Sequence, residues 1–282
     1  LRPVKGDFMR ILFVGDSQNA ALKRACDAEG SQAILARGLQ VDFISAIGPV
    51  AQLMTSDSSR IWLDDKPKAW PKHVIGPEQL DRLHDETRRQ FEALGKSPRV
   101  LGGFRKKTVD LLDYDAVVSV GGWIVRLWLN LDNAIADAGV SRAFVQDFAD
   151  EMFSRSNACR WLGKALGNKG FENKFFFMPD PIANELSPDV AKYSTSRQPD
   201  FRLTFDALRR VAEGMGVILL PYPDGFLNAT ASAISKEFKA ERPGDFMHLN
   251  LRGNAILLKH ILEHVERGAG TSRKRNSFQA NG

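Results

Sequence analysis

Five short apolar runs, each closed by a glycine or a proline, most limit what this chain can fold into. They are Arg10 to Val14 before Gly15, Val41 to Ile47 before Gly48-Pro49, Ala116 to Val120 before Gly121-Gly122, Lys174 to Met178 before Pro179, and Val217 to Leu220 before Pro221. Their apolar residues are continuous rather than alternating, the pattern of strands buried on both faces. Helical patterns lie between them. A first helix is predicted from Ser17 to Glu29, stopped by Gly30; later stripes run through Phe144, Phe148, Met152, Cys159, Leu162 and Leu166, through Phe201, Phe205, Leu208, Ala212 and Met215, and through Leu251, Ala255, Leu258, Leu262 and Val265. Strands alternating with helices predict an α/β fold whose parallel sheet is covered on both faces and binds ligands at the carboxyl ends of its strands.

At 282 residues with 43% hydrophobic and 26% charged side chains, the chain can bury one large core. The expected organisation is a single domain over 9–267, a cap-like insertion at about 50–113, and a disordered basic tail over 268–282. The insertion carries its own helix: Pro77 starts it, Gly95 ends it, and Leu80, Leu83, Phe91 and Leu94 form its stripe. It also holds Trp62, Trp70 and a basic segment, Lys96 to Lys107.

Several function classes find no support. No apolar run approaches the ~20 residues that span a bilayer, and the first residues lack the layout of a secretion signal, so the default expectation is a cytoplasmic protein without a membrane role. The net charge is +5, and Arg273, Lys274 and Arg275 supply three of it, which does not indicate a nucleic-acid partner. Cys26 and Cys159 fall in predicted helices and read as small buried apolar groups rather than a disulfide or metal site. No dinucleotide-binding glycine pattern or Walker loop follows the first strand, so no cofactor is expected. His260 and His264, four apart, are read as surface histidines near a helix end rather than metal ligands, and His73 and His84 receive no role.

The first apolar run delivers Gly15, Asp16 and Ser17 into a sharp turn before a helix, in the stretch RILFVGDSQN. A serine there has its hydroxyl at the carboxyl end of a strand and its N–H at a helix N-terminus, where developing negative charge is favoured. An Asp or Ser after a strand is also an ordinary helix cap. Near the other end, Asp245-Phe246-Met247-His248 places a carboxylate and an imidazole on one side of a single turn, so that Asp245 can hold the orientation and tautomer of His248.

Together these stretches give the order Ser, Asp, His, and the sequence resembles the SGNH (GDSL-type) hydrolase family, whose first block carries Gly-Asp-Ser and whose last carries Asp-x-x-His. The resemblance implies a flavodoxin-like three-layer α/β/α fold with a central five-stranded parallel sheet, and a carboxylic ester hydrolase with Ser17 as nucleophile, His248 as base and Asp245 as its orienting partner. It also implies an oxyanion hole built from the N–H of Ser17, that of Gly48, and an asparagine in a Gly-x-Asn-Asp block after the third strand. The chain departs there: it reads Gly121-Gly122-Trp123, with Trp123 in place of the asparagine. The N–H of Gly122, the side chain of Asn19 and the guanidinium of Arg126 are the candidate replacements. Asp16, Asn19, Trp123 and Arg126 are the candidate substrate-binding residues, with Asp16 supporting the turn rather than reacting. Trp123, with Trp128, either stacks on a sugar ring or packs under the insertion. The expected substrate is a small ester, with an O-acyl group on a sugar or glycan as a candidate. An acyltransferase with a sugar acceptor and a non-catalytic glycan-binding protein are the alternatives.

Overall fold

The protein is described here by a computed structural model, which covers residues 8–29, 34–45, 53–55, 59–63, 76–101, 104–121, 141–155, 175–179, 201–228, 234–241, 245 and 248–279. Its strands are β1 (Met9–Gly15), β2 (Leu39–Ser45), β3 (Leu53–Thr55), β4 (Arg60–Leu63), β5 (Lys96–Leu101), β6 (Phe104–Asp110), β7 (Ala116–Val120), β8 (Phe175–Met178) and β9 (Ile218–Leu219). Its helices are α1 (Ser17–Glu29), α2 (Pro77–Leu94), α3 (Arg142–Arg155), α4 (Phe201–Gly214) and α5 (Leu251–Gln279). The five apolar runs form one sheet in the order β2-β1-β7-β8-β9, parallel throughout. That is the flavodoxin-like doubly wound order.

Alternate strand residues feed two apolar clusters, one per face. Ile11, Phe13, Val118, Phe176 and Met178 meet Leu22 and Cys26 of α1 and Leu257, Leu258, Ile261, Leu262 and Val265 of α5. On the other face Leu12, Val14, Ile44, Val117, Phe175 and Phe177 meet Phe91 of α2, Ala149 of α3, and Ala207, Leu208, Val211 and Ala212 of α4. A sheet loaded on both faces with branched and aromatic side chains must be covered on both, and the result is three layers, α/β/α.

The described residues between 50 and 113 contribute to this body. Their helix α2 covers one sheet face, and β3-β4-β6-β5 form a second, antiparallel sheet whose Ile61, Leu63 and Val109 join the same cluster as Leu12 and Val14. Trp62 is buried in β4, while Trp70 lies outside the described residues.

Some sequence expectations change in detail. β2 begins at Leu39, two residues before the expected start, because Leu39 pairs with Met9 and is buried despite the polar Gln40 after it. Phe144 is 47% exposed, and Ala149 of α3 is fully buried, a small residue suited to close approach to α4, while the side chains of Phe148 and Met152 and the residues Cys159, Leu162 and Leu166 lie outside what the structure describes. Leu251 is 57% exposed because it opens α5 beyond the sheet, and Leu257 and Ile261 take the buried face with Leu258, Leu262 and Val265. His84, given no role from the sequence, is buried on α2 with its Nδ1 3.2 Å from Arg88 Nη2. The tail expected to be disordered from Gly268 is helical to Gln279, continuing α5 directly from the buried Ile261, Leu262 and Val265, and Gly268 fits against Phe176, where a Cβ would lie 3.0 Å from its ring. Among the described residues no helix is long and apolar enough to cross a membrane.

Candidate active site

The turn after β1 is built by close approach. A Cβ on Gly15 would lie 2.2 Å from the Val120 carbonyl of β7 and 2.9 Å from Asn19 Cβ, so only glycine fits. Asp16 then caps α1: its Oδ1 accepts from Gln18 N at 3.0 Å and its carbonyl accepts from Ala20 N at 3.1 Å. The Asp16 carboxylate is buried under Gly121, which has φ +81° and whose Cβ would come within 2.5 Å of Asp16 Oδ1. With cap and glycine in place, Ser17 becomes the first residue of α1, exposed, its N–H one of those a helix cannot satisfy itself.

His248 reaches this turn from a separately braced segment. Ala240 N donates to His248 O at 3.0 Å and Asn250 N to Phe238 O at 2.9 Å, a short antiparallel bridge of Leu249 to Lys239 directly after the histidine. Phe238 anchors the bridge by stacking on Phe226 with ring centroids 5.1 Å apart. Asn250 caps α5, accepting from Gly253 N at 2.8 Å through Oδ1 and donating to Glu237 O at 2.7 Å through Nδ2. Asn254, buried, donates to the Leu249 and Asn250 carbonyls. An asparagine directly before an amphipathic run is a legible cap signal at Asn250; Asn254 carries no such signal.

The two segments meet. His248 Nε2 is 2.9 Å from Ser17 Oγ, across 231 positions of sequence. His248 Nδ1 is 2.8 Å from Asp245 Oδ1 and 3.0 Å from Oδ2, and the same carboxylate accepts from His248 N at 3.0 Å. With Nδ1–H donating to the carboxylate, Nε2 carries the lone pair and accepts from the serine hydroxyl. The imidazole is one-third exposed and the Asp245 side chain less so, and a small molecule can reach Ser17 from solvent.

The remaining candidates separate. Asn19 is fully buried and its Nδ2 donates to Ile44 O at 2.9 Å and toward Ser45 Oγ at 3.2 Å, so the amide ties α1 to β2 and faces neither substrate nor oxyanion. This corrects its expected substrate-binding role: the strand ends lie within reach and hold it. Asp16, buried beneath Gly121, is a cap rather than a substrate contact. The Gly121 N–H is taken by Met178 O at 3.0 Å. Gly48, Gly122, Trp123, Arg126 and Trp128 lie outside the described residues.

Among the described residues no group of three or more His, Cys, Asp or Glu could hold a metal. His260 and His264 are half-buried rather than surface residues, with ring centroids 4.2 Å apart. His260 Nε2 donates to Pro221 O at 2.8 Å, and burial, then the neighbouring His264, push its pKa below the ordinary histidine value.

No family model matches the chain, and no curated protein matches it. Among solved structures it is similar to a Bacteroides fragilis protein assigned as an acylhydrolase, with 10% identity over 95% of this chain and 91% of the other and a TM-score of 0.43. A GDSL-like lipase from Bacteroides thetaiotaomicron has 12% identity, 95% and 92% coverage and a TM-score of 0.41. A lipopolysaccharide acetyltransferase periplasmic domain from Salmonella ser. Paratyphi A has 11% identity, 93% and 85% coverage and a TM-score of 0.38. Likeness at this level decides nothing about a reaction, which has to come from the chain's own residues.

Proposed function

We propose that the chain is a serine esterase of the SGNH type, cleaving a small carboxylic ester through an acyl-enzyme on Ser17. The supporting observation is the unbroken hydrogen-bond line from Ser17 Oγ through His248 to Asp245 at 2.9 and 2.8 Å. A serine hydroxyl is a poor nucleophile unless a base removes its proton as the new bond forms. His248 Nε2 takes that proton while Oγ bonds to the acyl carbon, and returns it to the departing alcohol as the ester C–O bond breaks. In the second half His248 deprotonates a water, whose oxygen bonds to the acyl carbon and expels Ser17, giving the free acid. Asp245 keeps Nδ1 protonated and stabilises the imidazolium that forms in each half.

The charge on the carbonyl oxygen needs donors in place before the reaction. The Ser17 N–H at the start of α1 is the donor the described residues offer; with Asn19 committed to β2 and the Gly121 N–H to Met178, Gly48 and Gly122 are the residues proposed to complete the hole. An O-acyl sugar as substrate is a narrower proposal carried by Trp123, Trp128 and the basic segment Lys96 to Lys107 in the sequence, and the ratio of transfer to hydrolysis with added sugars separates an esterase from an acyltransferase.

Reaction with a fluorophosphonate, followed by mapping of the adduct, tests the proposal. Labelling of Ser17, lost in Ser17→Ala and weakened in His248→Ala, is expected. A folded protein that resists labelling would instead be a binding protein of this fold.

A further inference from the structure

Ser45, the last residue of β2, is gripped from both helix layers at once. Its N–H donates to Gln90 Oε1 at 2.6 Å and its carbonyl accepts from Thr87 Oγ1 at 2.6 Å, both from α2. Its hydroxyl lies 3.2 Å from Asn19 Nδ2 of α1, which also donates to Ile44 O. β2 is an edge strand, so backbone groups turned away from β1 need another partner, and α2 supplies it with side chains. Asn19, Ser45 and Thr87 are all buried, where broken hydrogen bonds have no water to replace them.

The position of this grip matters more than its strength. Ser45 lies directly opposite Gly15 in the sheet register, two residues before Ser17, and Asn19 belongs to the same first turn of α1 as Ser17. We propose that Asn19, Thr87 and Gln90 are positioning residues for the Ser17 nucleophile: by clamping Ser45 they fix the first turn of α1, and with it the distance from Ser17 Oγ to His248 Nε2. None of the three touches Ser17 Oγ or His248, and they act through the backbone. The inference rests on the hydrolase reading of Ser17. Reacting groups must be aligned to within a fraction of an ångström, and a misplacement of about 1 Å can cost on the order of a hundredfold in rate.

Thr87→Val removes the hydroxyl donor at nearly constant volume, Gln90→Met removes the acceptor at a half-buried position, and Thr87→Ser keeps the hydroxyl while deleting a methyl. Each variant and the wild type are compared for the rate of Ser17 modification by a fluorophosphonate, for kcat and KM with p-nitrophenyl acetate, and for Tm. Thr87→Val and Gln90→Met are each expected to lower the labelling rate and kcat about tenfold with KM within about twofold. Thr87→Ser is expected to recover both rates even where its Tm stays low. If Thr87→Val does not fold, Gln90→Met carries the test. Variants labelled at the wild-type rate, whatever their Tm, would show a purely structural clamp and overturn the inference while leaving the esterase intact. A wild type that is not labelled at all would overturn the hydrolase reading and the inference with it.

Discussion

Both ends of β1 carry clustered polar groups and put them to different uses. At the amino end Arg10 N donates to Asp115 Oδ2 at 2.8 Å, Arg10 Nη1 donates to Asp113 O at 3.1 Å, and the guanidinium lies 4.7 Å from the centre of the Tyr114 ring and 3.7 Å from Asp42. Tyr114 is buried against this group and hydrogen-bonded to Asp42, with its pKa driven far above the ordinary phenol value by burial, then by the Asp42 charge. Most of the groups there pair with one another, with Arg10 Nε and Asp42 Oδ2 left without a hydrogen bond among the described residues. At the carboxyl end Asp16 and Asn19 are more deeply buried and hydrogen-bonded within the turn and to β2, yet between them Ser17 is exposed and its hydroxyl engages a histidine delivered from elsewhere in the chain. Buried polar groups that complete one another stabilise; an exposed group held in place by buried neighbours can react. The contrast predicts that changes at one end act on the rate and changes at the other on stability.

The strongest way to break that contrast is at Asp245. Asp245→Ala leaves the imidazole without its orienting carboxylate, and kcat for p-nitrophenyl acetate should fall by about 10³-fold or more with Tm shifted little, since Asp245 is partly exposed. A Tm loss without a rate loss would place Asp245 with the structural groups. At the other end, Tyr114→Phe should leave kcat within about twofold and cost roughly 1–2 kcal/mol in denaturant unfolding, because Asp42 loses its buried donor. The same phenol gives a sign in pH. A raised folded pKa means the folded state keeps a proton that the unfolded state gives up, so its stabilisation is present below the unfolded phenol pKa of 10.0 and is lost as pH rises beyond it. Tyr114→Phe should flatten that alkaline loss, read as Tm against pH.

The smallest effect belongs to His260, which faces His264, Glu263 and Arg267. Its folded pKa is lowered, so its contribution is present above the ordinary value of 6.5 and is lost as pH falls below it. Because the ring is only partly buried, solvent screens the effect, and His260→Gln should reduce the acid loss by no more than a few tenths of a kcal/mol. A steeper acid slope in the variant would reverse the sign.

What the sequence could and could not show follows from how far each signal reaches. β7, and α1 from Ser17 to Glu29, match the expected spans because their limits are local: an apolar run ending in glycine, and a cap at Asp16 with Gly30 downstream. Asp245 and His248 were legible as a pair because both lie within one turn. The role of Asn19 was not, since an amide serves equally as an oxyanion donor or as a tie between strands, and the acceptors that decide it are 25 and 26 positions away. Thr87 and Gln90 gave no signal, for their partner Ser45 is more than 40 positions distant and on an edge strand whose need for a cover is invisible in the chain. The exposed Leu251 shows the same limit: helical phase was read correctly, but where the sheet ends relative to the first turn of α5 is a tertiary fact.

Passage of an acyl group through the Ser17 oxygen separates an esterase of this kind from a binding protein of the same fold. Acid quench during turnover of p-nitrophenyl acetate, followed by peptide mass spectrometry, reads that directly. An acetyl group on the peptide containing Ser17, absent in Ser17→Ala, is expected. Turnover with acetyl on a different residue, or turnover that persists in Ser17→Ala, would contradict it.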